Sequence, residues 1–573
     1  MIAGRSFETL SSRLLDDDAG PAQQILLGIA VIALIAGIAG RAVGGIGGGV
    51  TALWAFTAAT VALCLAVRLS TALVLPLYMG VLGWLVDMLP FVLLAGWTAV
   101  VVRWGIGLAR ARRLPWGGRW IWLPIGLVAW TALGVLVISK LDFKHFLLLL
   151  GIQVVSSATM LAVVDRIRDR DEIRRVVELL GGFILLLSVA VLLQWIGVPI
   201  EAFQDSTARR TVEEAYGVDA FPNNIGMIKY ARSIEAGALE LREEIKQLAA
   251  AEPELPSFEV FRPKFQAYEN SLVVRFGFSA RPFEPELASV GVSLLYDNVG
   301  LAPANTVPRL RSFPRNALTY AGICAAVVPL GFWLVWTNEG RRRRFGWAIV
   351  AACLFGAAFS LARGAWVAIA LGAIYMLVVR TIDMRKRLQF LGAFIGAAIV
   401  ITSVFLVKYG VDPLNGRAGG GDSVNTREDL YLDTLGSLEG VYLVLGYGTE
   451  KPRTESGTVK EGTAYVPRAG THSTYLNYLF RTGLPGALAI LALYGLALWH
   501  AHKGSRSVDG DRRLWLAACA TSVAIAAAHA VILSLYVEPI YTLTISLIVG
   551  LVMASTLDLG ASLRPSRRRS PGS

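Results

Sequence analysis

The stretch RRRRFGWAIVAACLFGAAFSLARGAWVAIALGAIYMLVVRTIDMRKR (residues 341–387) decides the fold. It holds two apolar runs, 346–360 and 364–380, each near the ~20-residue length that crosses a hydrocarbon core as helix. Basic clusters stand at both outer ends, Arg341 to Arg344 and the run from Arg380 to Arg387, and a single charge, Arg363, stands between the runs. Lys and Arg collect on the cytoplasmic side of membrane proteins. Both clusters therefore belong on one side and the Arg363 turn on the other, which predicts a hairpin that crosses a membrane twice. A guanidinium at the bilayer centre would cost about 2.5–3.5 kcal/mol. Arg363 thus either snorkels to the headgroups or enters a polar site.

The same alternation runs outward through the chain. Its 573 residues are 55% hydrophobic and 17% charged, with a mean hydropathy of +0.56, whereas soluble domains carry about 25% charged residues. Apolar runs lie near 24–40, 49–66, 71–87, 91–106, 120–138, 145–164, 176–197, 317–337, 346–360, 364–380, 389–408, 484–500, 514–533 and 540–557. The weakest point is VDMLP (Asp87 to Pro90 at its core), where two runs could be one tilted or broken span. The first run lacks a small-residue cleavage site and reads as a retained span rather than a signal peptide.

Loops 107–119, 165–175, 338–345, 381–388 and 501–513 and the tail RPSRRR are rich in arginine, and alternation puts all of them on the cytoplasmic side. This distribution also explains the net charge of +12. A nucleic-acid-binding protein would gather such charge on one exposed domain, so that class is excluded. Cys64, Cys324, Cys353 and Cys519 all lie in apolar runs and read as small packing residues, not as a disulfide or metal scaffold.

The predicted organisation has seven parts: a cytoplasmic tail (1–23), a first transmembrane group (24–197), a soluble extracytoplasmic insert (198–316), transmembrane helices with the Arg363 turn (317–408), a second extracytoplasmic loop (409–483), C-terminal transmembrane helices (484–557) and a basic cytoplasmic tail (558–573). The fold class is an all-α polytopic membrane protein of about fourteen (12–14) transmembrane helices with a small α+β insert. In the insert, SIEAGALELREEIKQLAA spaces Ile234, Ala238, Leu241, Ile245 and Leu248 as an amphipathic helix, and SLVVRFGF (271–278) resembles a strand. The loop YGVDPLNGRAGGGDSVNTRE is rich in Gly, Asn and Asp and reads as irregular.

Candidate functional residues collect on the extracytoplasmic side. Arg309 and Arg311 enter the span after the insert, Arg363 lies at its turn, and Arg427 lies in the second loop. Together they would make a permanently charged, fork-shaped site suited to a diphosphate. No acidic pair or His/Cys cluster with metal spacing accompanies them, so a metal-free anion site is the more economical reading. His472, in THSTYLNYLFRTGLPG (471–486), has the pKa range of a general base near neutral pH; the alternative is an interfacial histidine with its polar edge in water. His500 and His502 fall on the cytoplasmic side, and His145 and His529 have no polar company in sequence. VGGIGGG (43–49) lacks the Lys-Ser/Thr of a phosphate loop and reads as an interhelical turn. Glu538, in the last external turn, reads as interfacial.

Four of these segments, in order, resemble the O-antigen ligase/polymerase superfamily over roughly residues 300–500. RLRSFPRNALTYAG is similar to the family's Arg-containing entry to a span, FSLARGAWVAIAL to its Ser-Arg-Gly turn, TREDLYLDTL…LGYG to its arginine-aromatic and Gly-x-Gly element, and THSTYLNYLFRTGLPGALAIL to its His-led motif. This chain departs from the pattern with Ser473 where Asn is frequent, Ala362 where Ser is, and Arg315 where Pro is. The resemblance implies a GT-C-like bacterial inner-membrane glycosyltransferase with its site facing the periplasm. His472 would be the catalytic base, and Arg311, Arg427, Arg363 and Arg309 would bind diphosphate. No metal or cofactor is implied. The donor would be an undecaprenyl-diphosphate-linked glycan and the acceptor a glycan or glycolipid hydroxyl, with polysaccharide-assembly proteins as further partners. Ligase and polymerase both remain open. The rival from another class is a transporter or flippase of lipid-linked glycan, but such proteins place charges near the midplane on repeated broken helices, and no repeat is visible here.

Overall fold

The computed structural model describes residues 21–43, 45–86, 88–112, 122–138, 143–167, 169–196, 312, 317–360, 362–379, 382–409, 431–432, 434–436, 438–447, 473–532 and 538–562. In lipid an unpaired backbone N–H or C=O costs several kcal/mol, and a helix pairs its own. The apolar runs accordingly fold as helices: α1 (Pro21–Val43), α2 (Gly45–Ala66), α3 (Leu69–Ala72), α4 (Leu75–Leu85), α5 (Leu89–Arg110), α6 (Trp122–Ile138), α7 (Phe143–Arg166), α8 (Arg170–Trp195), α9 (Ala317–Thr337), α10 (Gly340–Phe359), α11 (Arg363–Val379), α12 (Met384–Tyr409), α13 (Val441–Leu445), α14 (Thr474–Ser507), α15 (Gly510–Ile532) and α16 (Pro539–Ser562). Among the described residues there is no strand.

Each apolar run falls on one of these helices, the run at 71–87 being split between α3 and α4. Nine helices among the described residues are long and apolar enough to cross a membrane, while Leu69–Leu85, Trp122–Gly134 and Arg363–Val379 are shorter. At VDMLP the chain forms two helices that meet at a tight turn. The Met88 N–H donates to the Gly83 carbonyl (2.7 Å), and a Cβ on Gly83 would lie 2.8 Å from Val92 Cβ. The expected α+β insert at 198–316 lies outside the described residues apart from Ser312.

Burial sets the helices in order from centre to rim. The apolar window of α9 is 94% buried and that of α12 only 11%. Small residues let α9 take the centre: Ala321, Ala325 and Ala326 are all fully buried, which is how membrane helices approach closely. Polar side chains tie it to its neighbours. The hydroxyls of Tyr320 and Ser188 pair at 2.9 Å, and Ser188 Oγ donates to the Ala352 carbonyl at 3.2 Å. On the rim, Ile25, Ile32, Ile35, Ile399 and Val400 face outward, which costs nothing in hydrocarbon.

The two ends of the bundle differ in chemistry. At one end Arg170 pairs with Asp511, Arg342 with Glu178 (3.6 Å), Trp336 Nε1 with Gln389 Oε1 (3.1 Å) and Arg512 Nη2 with the Ser555 carbonyl (3.3 Å). These contacts gather the chain around 165–175, 338–345, 381–388 and 501–513, four of the arginine-rich loops. The opposite end carries aromatic rings and polar helix caps: Trp195, Phe359 and Phe405 form a chain of ring contacts at 5.2 and 5.0 Å.

Candidate active site

The opposite end is organised by a fold-back within α14. Tyr475 and Tyr494 are nineteen residues apart, which a continuous helix would separate by about 28 Å. Their ring centroids are 6.2 Å apart. The chain doubles back at Gly483, whose φ of +68° and ψ of −173° are not helical. One limb, 474–482, thus lies against the other, 484–507. Pro485 sits in the first turn of the second limb, where its missing N–H costs no helical bond.

Gly483 is required on two counts. A left-handed φ favours glycine, and a Cβ there would lie 2.0 Å from the Val444 carbonyl oxygen. Gly446 answers it from the other strand of the contact, with φ +73° and a would-be Cβ 2.3 Å from the Arg481 carbonyl carbon. Backbone meets backbone here: the Tyr447 N–H donates to the Phe480 carbonyl at 2.7 Å. The rings of Tyr442, Tyr447 and Phe480 then stack in series, at 4.2 Å and 2° and at 4.7 Å and 14°. Trp130 Nε1 of α6 donates to the Thr482 carbonyl at 2.9 Å. These contacts hold α13, α6 and the first limb of α14 together.

The first limb starts at Ser473, whose side chain accepts from the Leu476 N–H at 3.4 Å as an N-cap. Ser473, Thr474, Asn477 and Tyr478 are buried. Tyr475 reaches across to donate to the Ala527 carbonyl of α15 at 3.0 Å. Arg481 Nε meets Asn477 Oδ1 at 3.4 Å. His472, the candidate base, immediately precedes Ser473 in the chain but lies outside the described residues, as do Arg309, Arg311 and Arg427.

Two features border the candidate arginines. Arg363 is the exposed first residue of α11. The turn before it is held by Ser360, whose Oγ donates to the Ala357 carbonyl (2.8 Å) and accepts from the Ala362 N–H (3.3 Å). Ser312, next to Arg311 in the chain, is buried at 3% exposure. Its N–H donates to Gln194 Oε1 (3.1 Å) and its Oγ to the Leu187 carbonyl (2.7 Å), tying this point to the end of α8. Glu538 stands at the start of α16, its carbonyl accepting the Thr542 N–H (3.0 Å).

Several polar residues of this region carry no signal in the sequence reading. His529, which has no polar neighbour in sequence, is 1% exposed with Nδ1 3.3 Å from the Tyr541 hydroxyl of α16. Gly322 of α9 makes room for that pair, since a Cβ there would lie 2.5 Å from His529 Cε1. Tyr478, Tyr494, Tyr541 and Gln153 also converge behind the first limb. They come from α7, both limbs of α14 and α16, and only the fold-back brings them together.

A bundle of apolar helices, basic at one end and capped at the other by a buried, polar fold-back, defines a multi-pass helical membrane protein. Residues 348–491, about a quarter of the chain, match the family model described as O-antigen ligase, and that match supports membership of the O-antigen ligase/polymerase family. The matched stretch runs from α10 into the second limb of α14. It includes Arg363, Arg427, α13, His472 and Gly483, whereas Arg309 and Arg311 precede it. No curated protein matches the chain. The matched family suggests a glycosyltransferase-like membrane enzyme.

Proposed function

We propose that the protein transfers a glycan from undecaprenyl diphosphate to an acceptor hydroxyl, on lipid A core or a growing polysaccharide, at the periplasmic face of the bacterial inner membrane. One observation carries this reading: the His-led segment enters the bundle as a buried, capped limb at the end opposite the arginine-rich loops. Arginine-rich loops mark the cytoplasmic side, so the limb belongs to the periplasmic side, where finished lipid-linked glycans are presented.

In this account His472 takes the proton from the acceptor hydroxyl. The oxygen then attacks the anomeric carbon while the bond from that carbon to the diphosphate oxygen breaks. A single displacement inverts the configuration. Arg311, Arg427, Arg363 and Arg309 hold the diphosphate and stabilise the negative charge that grows on it, so the positive charge comes from guanidinium groups rather than a metal. Arg363 stands at the N-terminus of α11, whose partial positive charge adds to its own. That pairing is unfavourable for the helix by itself and suits an anion bound beside it. The insert at 198–316 would engage the growing or acceptor glycan.

The test is transfer by purified protein in detergent, with chelator present, from polyprenyl-diphosphate-linked glycan to lipid A core or to a second lipid-linked glycan. Transfer in chelator supports metal independence. The acceptor that works separates ligase from polymerase. Absence of transfer to either acceptor would sink the reading.

A further inference from the structure

Behind the first limb of α14 lies a cavity with a free volume of about 60 Å³, walled by α6, α7, both limbs of α14 and α16. Its polar wall carries Gln153, Ser156 and Ser157 from α7, Thr474 and Tyr478 from the first limb, and Thr542 from α16, and no charged side chain lines it. Ser156 Oγ donates to the Gln153 carbonyl (3.0 Å), and Gln153 and Tyr478 line the cavity together. Gln153 is 5% exposed, yet its Oε1 has no hydrogen-bond partner.

An unpaired buried amide oxygen costs about 1–3 kcal/mol, and buried polar side chains are ordinarily hydrogen-bonded, so this orphan calls for a partner. The orphan atom accepts and does not donate, so its missing partner is an N–H or O–H. With no carboxylate or phosphate partner in the wall, the cavity does not suit a cation or a diphosphate. It suits a neutral hydroxyl. A water needs about 10–15 Å³ of such free volume, so the cavity takes a hydroxymethyl group or a few waters. Thr474, which lines it, is two residues from His472.

We propose that this cavity seats a hydroxyl or hydroxymethyl arm of the acceptor sugar, with Gln153 Oε1 accepting its hydrogen bond, so that the ring is held beside the His-led segment. The inference rests on the transferase reading and assigns the acceptor and the diphosphate to separate pockets, one neutral and one cationic.

The experiment compares Gln153→Leu and Ser157→Val with wild type in detergent, varying donor and acceptor in turn. The donor is polyprenyl-diphosphate-linked glycan and the acceptor is lipid A core or a second lipid-linked glycan. The first variant removes the acceptor atom; the second fills the cavity without touching Gln153. Both are expected to raise the acceptor KM by about threefold to tenfold, the worth of one neutral hydrogen bond. The donor KM and the unfolding temperature should stay near wild type for Ser157→Val. An unchanged acceptor KM in a folded Ser157→Val protein overturns the inference and leaves the cavity to water or to packing. Failure of the wild type to transfer at all falls on the function, not on the cavity.

Discussion

At position 483 a single glycine turns what would be one long helix into two limbs. Its φ of +68° and ψ of −173° place any other residue in a region that costs roughly 1–3 kcal/mol, and a Cβ would collide with the Val444 carbonyl at 2.0 Å. Gly483→Ala is therefore expected to lower the unfolding temperature in detergent and to cut transfer at least tenfold, because the limb must shift for the Cβ to fit. A Gly483→Ala protein of wild-type stability and activity would remove the fold-back from the account. Arg363 makes a second residue-scale prediction. Charge-assisted bonds contribute about 1.5–3 kcal/mol, so Arg363→Ala should raise the donor KM by roughly tenfold to a hundredfold. Arg363→Lys should recover only part of that, since an ammonium lacks the guanidinium fork. The acceptor KM should not follow; if it rises in step with the donor KM, Arg363 acts on the fold of the turn and not on the diphosphate.

Among elements, the clamp between α13 and the first limb of α14 fixes how that limb enters the bundle. Aromatic pairs contribute about 0.5–1.5 kcal/mol beyond their burial. A double-mutant cycle on Tyr447→Ala and Phe480→Ala should return a coupling of about that size, read from denaturation in detergent, and strictly additive losses would mean the rings merely lie side by side. The transmembrane helices themselves were legible in the sequence for a simple reason. Apolar runs in hydrocarbon have few alternatives to helix, and each run in 341–387 falls on α10 or α11, although neither is among the nine described helices long and apolar enough to cross a membrane. The first limb of α14 was not legible as helix. Its residues TYLNYLFRT (474–482) mix polar and aromatic types, and its buried face of Thr474, Asn477 and Tyr478 has helical spacing without an apolar signal. The cavity was hidden for a different reason. Gln153, Thr474 and Thr542 share a wall only after the chain has folded, and the partner of His529 is Tyr541, on the next helix. Of the candidate site, Arg363 and the Gly-bearing segments could be placed in the fold, while the roles of His472, Arg309, Arg311 and Arg427 rest on chemistry and family resemblance.

For the whole molecule, the account depends on which end of the bundle faces which compartment. All four cysteines are free and fully buried, which gives a low background for labelling introduced thiols. Val444→Cys, on the exposed face of α13, should react with a membrane-impermeant maleimide in intact spheroplasts. Arg343→Cys, at the arginine-rich end, should react only after permeabilisation; the reverse pattern would invert the molecule and place the His-led limb in the cytoplasm. Orientation and clamp together serve one central claim, that His472 deprotonates the acceptor at the periplasmic end. The measurement that tests it most directly is the transfer rate of purified His472→Ala beside wild type, both shown folded by their unfolding temperatures. A loss of about 10²-fold or more in kcat with an unchanged unfolding temperature is predicted, the size expected of a general base. A folded His472→Ala protein that transfers glycan at the wild-type rate would contradict the account.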